Sequence, residues 1–122
     1  MNSRKIGQQA EQFVADYLQR QDKNILAYNY QKMCGEIDII ATDNETIYFV
    51  EVKVRKNPVF PLEELVPAYK QRKIIKTAQH YLALSNITNK VCQFDVALVE
   101  LRENNYHITY IPNAFTPTDL SD

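Results

Sequence analysis

The sequence predicts an α/β fold, with one mixed sheet of about five strands flanked by helices. Three observations carry this. An amphipathic helical stripe opens the chain. A pair of segments rich in β-branched and aromatic residues follows, joined by a turn signal. A second helical stripe then separates that pair from a further pair of strand-like segments. A helix that crosses between strands usually joins parallel neighbours, so the sheet is expected to be mixed.

The elements follow in order. Over residues 4–21, Ile6, Ala10, Phe13, Val14, Tyr17 and Leu18 fall on one helical stripe, with Ser3 as the expected N-cap. Residues 24–30 read as a short mixed strand leading into Gly35. Residues 36–42 and 46–54 form a β-hairpin around the turn signal Asp43-Asn44-Glu45. Residues 55–61, with Pro58 and Pro61, read as a loop. Pro67 suits the opening of the second helix. Its apolar stripe is Ile74, Ile75, Ala78, Tyr81 and Leu82, and the helix is expected to end before Asn86. Residues 91–101 and 106–111 make a second hairpin around Glu103-Asn104-Asn105, and the polar tail from Pro112 is expected to be loose.

With 122 residues, 45% of them apolar and 24% charged, the chain has the size and composition of one globular domain, spanning residues 1–122. No apolar run has the length of a membrane helix, and the basic start lacks the apolar stretch of a signal peptide. Two cysteines, Cys34 and Cys92, make no disulfide framework, so a cytoplasmic protein with buried or half-buried thiols is expected. The net charge is only −1, but it is unevenly spread. From Lys53 to Lys76 there are seven basic residues against two acidic ones; the remainder holds seven against thirteen. Such polarisation can present one positive face to a polyanion, or can be a solvated helix face.

The first hairpin places charge inside apolar runs. Asp38 stands between Ile37 and Ile39, Glu51 between Val50 and Val52, and Lys53 between Val52 and Val54. Residues two apart on a strand share a face, which pairs Glu51 with Lys53 and Glu36 with Asp38. A two-residue loop at Asn44-Glu45 sets Asp43 opposite Thr46, and the same register sets Asp38 opposite Glu51. Two carboxylates that close repel each other unless a cation neutralises them. Hard oxygen ligands of this kind suit Mg²⁺ or Mn²⁺, with Lys53 placed to orient an attacking water or to balance phosphate charge. The competing reading is an ion pair between Lys53 and either acid. Glu11 lies at the edge of the first helix's stripe, where it could reach a neighbouring site or face solvent.

Gly35-Glu36-Ile37-Asp38 followed by Val50-Glu51-Val52-Lys53 resembles the PD-(D/E)xK nuclease signature. More narrowly, the chain resembles the YraN-like family of small uncharacterised bacterial proteins, itself similar to archaeal Holliday junction resolvases. The likeness extends to Gly7 with Glu11, Tyr17-Leu18, Lys70-Gln71-Arg72-Lys73, Cys92-Gln93-Phe94-Asp95-Val96 and Asn113-Ala114-Phe115. It implies a restriction-endonuclease-like core and a Mg²⁺- or Mn²⁺-dependent endonuclease acting on structured or branched DNA. It implies that Asp38 and Glu51 are metal ligands, that Lys53 is the catalytic lysine and that Glu11 joins the site. It suggests that Gln71 or Lys73 borders the site or touches phosphate; the basic run itself, with Arg55, Lys70 and Lys73, is expected to lie beside the site and carry phosphate contacts. The partner expected is nucleic acid, DNA in preference to RNA, with no membrane role; a two-fold junction would suit a homodimer. Residues 56–61 depart from the glycine-bearing loop usual in the family. The runner-up function is a nucleic-acid-binding module of the same fold without turnover, and a third is an ion-pair network in an interaction protein.

Other polar residues carry blander expectations. His80 and His107 have no partner at metal-ligand spacing, Asp95 suits a structural hydrogen-bonding role, and Tyr69 is expected to pack rather than stack on a base.

Overall fold

A computed structural model of the chain describes residues 3–56 and 61–117. The elements run α1 (Ser3–Arg20), β1 (Asn24–Lys32), β2 (Gly35–Thr42), β3 (Thr46–Arg55), α2 (Leu62–Leu65), α3 (Ala68–Ser85), β4 (Val91–Arg102) and β5 (Asn105–Phe115). The five strands form one sheet in the order β1-β2-β3-β4-β5. All neighbours are antiparallel except β3 and β4, which the α3 crossover makes parallel. This is the mixed α/β arrangement of a restriction-endonuclease-like core.

Each face of the sheet buries one long helix. On one face, Ala10, Val14, Ala15 and Leu18 of α1 pack with Ile39, Ala41, Tyr48, Val50, Ala97 and Val99. On the other, Ile74, Ile75 and Ala78 of α3 pack with Ile37, Ile40, Ile47, Phe49, Phe94, Val96 and Leu98. Phe49, Phe94 and Phe115 stack in series, with centroids 5.3 and 5.4 Å apart. Burying side chains of this size contributes roughly 1.5–3 kcal/mol each.

The first hairpin has the expected register, Thr42↔Ile47 to Ile39↔Val50. Its tip is tied by the Asp43 carboxylate, which accepts the N–H groups of Glu45 (3.0 Å) and Thr46 (2.9 Å) and so fixes the two-residue loop. α3 ends at Asn86 in the left-handed conformation, a common helix stop.

Several expectations need correction. Ser3 lies within α1 rather than preceding it. β1 is nine residues long, because both its ends find partners on β2. The segment before α3 contains a one-turn helix, α2, whose Leu65 is buried beside Val66 in the α3-side core; residues 57–60 of that loop lie outside the described residues. Pro67 precedes α3 as its N-cap. The tail is not loose from Pro112, since β5 continues to Phe115, which is buried in the core. What holds it is Asp95. At a register shift where β5 advances four residues against two on β4, between the pairs Phe94↔Phe115 and Val96↔Ile111, this fully buried carboxylate accepts the hydroxyl of Tyr110 and the N–H of Asn113 (2.9 Å). Asp95 thus has the expected structural role. Cys92 is exposed at the start of β4, while Cys34 is half-buried and accepts a weak hydrogen bond from Thr77. Both histidines are exposed, and so is Tyr69.

Candidate functional site

Strict alternation fails around Asp38. Ile37 and Ile39, two apart on β2, belong to opposite cores. A matching irregularity lies opposite, on β1. Asn29, between the pairs Tyr28↔Ile39 and Tyr30↔Ile37, has φ 49° in mid-strand. Asn tolerates this left-handed conformation better than most residues. The kink falls opposite Asp38 and re-aims its neighbourhood, as irregularities beside functional sites often do.

Beyond Ile39↔Val50, β2 and β3 part. The N–H of Val52, which a continued ladder would give to the Ile37 carbonyl, is donated to the Asp38 carboxylate at 2.8 Å. Asp38 therefore reaches across the gap between the strands. Glu51 meets it there, with only 5% of its surface exposed. The Nζ atoms of Lys53 and Lys70 lie 3.5 and 3.4 Å from Glu51 Oε2. The parting of the strands opens a cavity of about 350 Å³ lined by Glu11, Glu36, Asp38, Glu51, Lys53, Lys70 and Lys73, with Gly35, Val52 and Ile74. Gly35 is needed at its edge: a Cβ there would stand 3.1 Å from Thr77 Oγ1 and 3.2 Å from Lys73 Cβ. Its absence lets β2 approach α3 closely enough to bring Lys70 and Lys73 over the acids.

The electrostatics follow from this crowding. Burial, then the charge of Glu51 and a hydrogen bond with it, push the Asp38 pKa up to about 9, against the lowering effect of the Val52 N–H. Burial also raises Glu11, opposed by the amide of Asn29, which donates to Glu11 Oε1 at 3.2 Å; the charges of Glu36 and Glu51 add to the rise. Burial and the neighbouring Lys70 lower Lys53, opposed by Glu51. Lys70 is raised by its hydrogen bond with Lys53 and by the carboxylates. The centre thus holds two acids and two lysines in contact, one of the acids retaining its proton well above the usual carboxylate range.

The structure brings together Glu11, Asp38, Glu51, Lys53, Lys70 and Lys73. It does not bring in the other two residues expected there. Gln71 is buried and its amide donates to the Val66 carbonyl at 2.9 Å, so it fastens the start of α3 to the segment before it. Arg55 lines a separate cavity with Ile6, Gly7 and Leu101, and donates to the Val54 carbonyl. Of the basic run, Arg72 and Lys76 are exposed on α3 outside the cavity lining. Asn29 is the residue that sequence reasoning missed; an Asn inside a strand-like run was the only signal, and Asn occurs in many ordinary turns.

Among the described residues, no three or more His, Cys, Asp or Glu side chains form a ready-made metal cage. Two adjoining carboxylates still fit an ion such as Mg²⁺. It holds few protein ligands and keeps waters or substrate oxygens in its remaining positions. The proton that Asp38 retains reflects its burial first and the neighbouring Glu51 carboxylate second, the two conditions that a bound cation would relieve. No helix among the described residues is long and apolar enough to cross a membrane.

Comparison with known proteins places these residues in a wider group. The model of the uncharacterised protein family UPF0102 matches residues 10–99, a stretch that contains Glu11, Asp38, Glu51, Lys53, Lys70 and Lys73. A UPF0102 protein of Vibrio parahaemolyticus is 42% identical over 117 residues, covering 94% of this chain and 95% of its own. One of Lachnoclostridium phytofermentans is 43% identical over 118 residues, covering 94% and 96%. One of Alkaliphilus oremlandii is 41% identical over 116 residues, covering 93% and 99%. With matches of this extent, the chain belongs to the UPF0102 family, in keeping with its YraN-like sequence motifs.

Proposed function

We propose that the protein is a divalent-metal-dependent endonuclease that hydrolyses phosphodiester bonds in structured or branched DNA. The observation that carries this reading is the contact between Asp38 and Glu51 in a cavity walled by Lys53, Lys70 and Lys73. A purely structural ion-pair network has no need of an acid that retains its proton inside an open cavity. A buried like-charge pair is costly unless a ligand compensates it, and such groups cluster at functional sites.

Asp38 and Glu51 would hold Mg²⁺ or Mn²⁺. A bound ion of this kind supplies Lewis acidity toward a phosphoryl oxygen and lowers the pKa of a coordinated water. The chain's own residues do the rest. The Val52 N–H fixes the Asp38 carboxylate and so its orientation toward Glu51. Lys53, held by Glu51 at 3.5 Å, offers a compact ammonium to the scissile phosphate and to the developing charge of the transition state. Lys70 and Lys73 bind the flanking phosphate oxygens from α3. Glu11, anchored by Asn29, closes the cavity from the α1 side.

The test is incubation of the purified chain with Mg²⁺ or Mn²⁺ and branched, single-stranded and duplex DNA, beside RNA counterparts. Metal-dependent cleavage that Glu51→Gln abolishes supports the reading. Binding without cleavage on every substrate favours a nucleic-acid-binding module of the same fold. No response to metal or nucleic acid overturns both.

A further inference from the structure

A second groove, of about 370 Å³, adjoins the cavity and shares Glu11 and Glu36 with it; its remaining lining is Arg4, Gly7, Gln8 and Asn29. The two walls of the combined cleft differ in character. The α3 wall carries lysines and suits phosphate. The opposite wall, built from α1 with Asn29 of β1 and Glu36 of β2, carries two carboxylates, two amides and one arginine, so negative charge is not favoured there, whereas groups that donate and accept hydrogen bonds are. The exposed Gln8 amide has no hydrogen-bond partner among the described residues, and the Asn29 amide gives its nitrogen to Glu11.

Gly7 is the second, independent observation. It sits inside α1, where Ala would be the better helix former. Nothing lies within 4 Å of where its Cβ would stand, so internal packing does not require a glycine. A bare stretch of helix backbone between amide and carboxylate groups makes a floor on which a flat ring can lie, with hydrogen-bonding groups at its rim.

Resting on the nuclease reading, we infer that this groove holds the base of an unpaired nucleotide beside the phosphate gripped by Lys53 and Lys70. The chemistry suits a base with an exocyclic amine. Carboxylates accept from such amines, and Asn or Gln amides pair with an adenine edge. A base still stacked in a duplex could not turn toward α1 while its phosphate faces α3, so the preferred substrate has an unpaired residue at the reacting position.

The experiment measures binding of the full chain by fluorescence anisotropy, with Ca²⁺ in place of Mg²⁺, to a short single strand of deoxyadenosine and to an abasic strand of equal length. The expected result is about tenfold tighter binding of the base-bearing strand, a difference of about 1.4 kcal/mol. Gly7→Ala and Gln8→Ala should each bring the ratio toward one while leaving the salt dependence unchanged. Gly7→Ala should at the same time raise Tm, since it improves the helix, so a weaker preference for the base cannot be put down to misfolding. Equal affinity of the wild type for both strands, or a ratio that neither substitution alters, overturns the inference and leaves the nuclease reading standing. Failure to bind either strand overturns the inference, while the nuclease reading is decided by cleavage of branched and duplex substrates.

Discussion

The carboxylate of Asp38 accepts the backbone N–H of Val52 at 2.8 Å, in the place that a regular antiparallel ladder would give to the carbonyl of Ile37. That one substitution of side chain for main chain ends the β2–β3 pairing without leaving a buried N–H unsatisfied. It opens the sheet and holds a carboxyl against Glu51. The cost is electrostatic, and it shapes the following expectations.

Asp38 has its pKa raised to about 9 by burial and by Glu51, against an ordinary value of 3.8. Between those values the folded chain holds a proton that the unfolded chain has released. Stability of the metal-free protein therefore falls as pH rises through that window. Asp38→Asn mimics the protonated form. In EDTA at pH 8 it should stabilise the protein by at least ~1.4 kcal/mol, the equivalent of one pKa unit, and flatten the pH profile. At pH 4 the gain should vanish. Denaturant melts at the two pH values measure this; an equal effect at both would show that Asp38 ionises normally.

Lys53→Ala should leave metal and DNA binding nearly intact and lower the single-turnover cleavage rate by about 10²-fold or more, a loss confined to the transition state. Lys53→Arg should restore little, because a planar guanidinium does not fit a place shaped for a compact ammonium at 3.5 Å from Glu51. Rapid-quench kinetics beside a binding titration separate the two effects, and wild-type cleavage by Lys53→Ala would remove the lysine from the mechanism.

Neutralising Lys70 and Lys73 together should weaken nucleic-acid binding irrespective of sequence. The slope of log affinity against log salt should become shallower by about 0.7–0.9 for each phosphate no longer neutralised. Arg72→Ala, on α3 but outside the cavity lining, serves as the control and should change the slope little.

Asn29 combines a left-handed φ of 49° with the 3.2 Å hydrogen bond to Glu11. Asn29→Ala should cost roughly 1–2 kcal/mol, since a Cβ-bearing residue other than Asn or Asp is disfavoured in that conformation. Asn29→Gly should keep most of the stability, yet should share with the alanine variant any effect that comes from freeing Glu11. Thermal melts rank the three proteins; equal stability of the alanine and glycine variants would mean that the backbone there relaxes.

Much of this molecule was legible in one dimension. Period-two runs and an Asp-led turn are local signals, so the first hairpin and its register as far as Ile39↔Val50 could be read from residues 36–54; beyond that pair the ladder stops, and Asp38 meets Glu51 through their side chains. Helical periodicity likewise located α1 and α3. The charge bias from Lys53 to Lys76 marked a basic region, but it could not sort that region's members. Tertiary structure did the sorting. The closeness of Gly35 to α3 brought Lys70 and Lys73 to the acids, while Gln71, one residue from Lys70, went to a main-chain carbonyl and Arg55 to another cavity. It also turned a polar tail into core strand, through the buried Asp95 that binds Asn113. The mid-strand kink at Asn29 was decided in the same way. Its left-handed φ is paired with no local turn signal, only with Asp38 on the next strand and Glu11 on the helix beneath. Local patterns arise from interactions over a few residues and can be read from a short window. The placement of a side chain between a sheet and two helices depends on packing among residues distant in sequence, which no window contains.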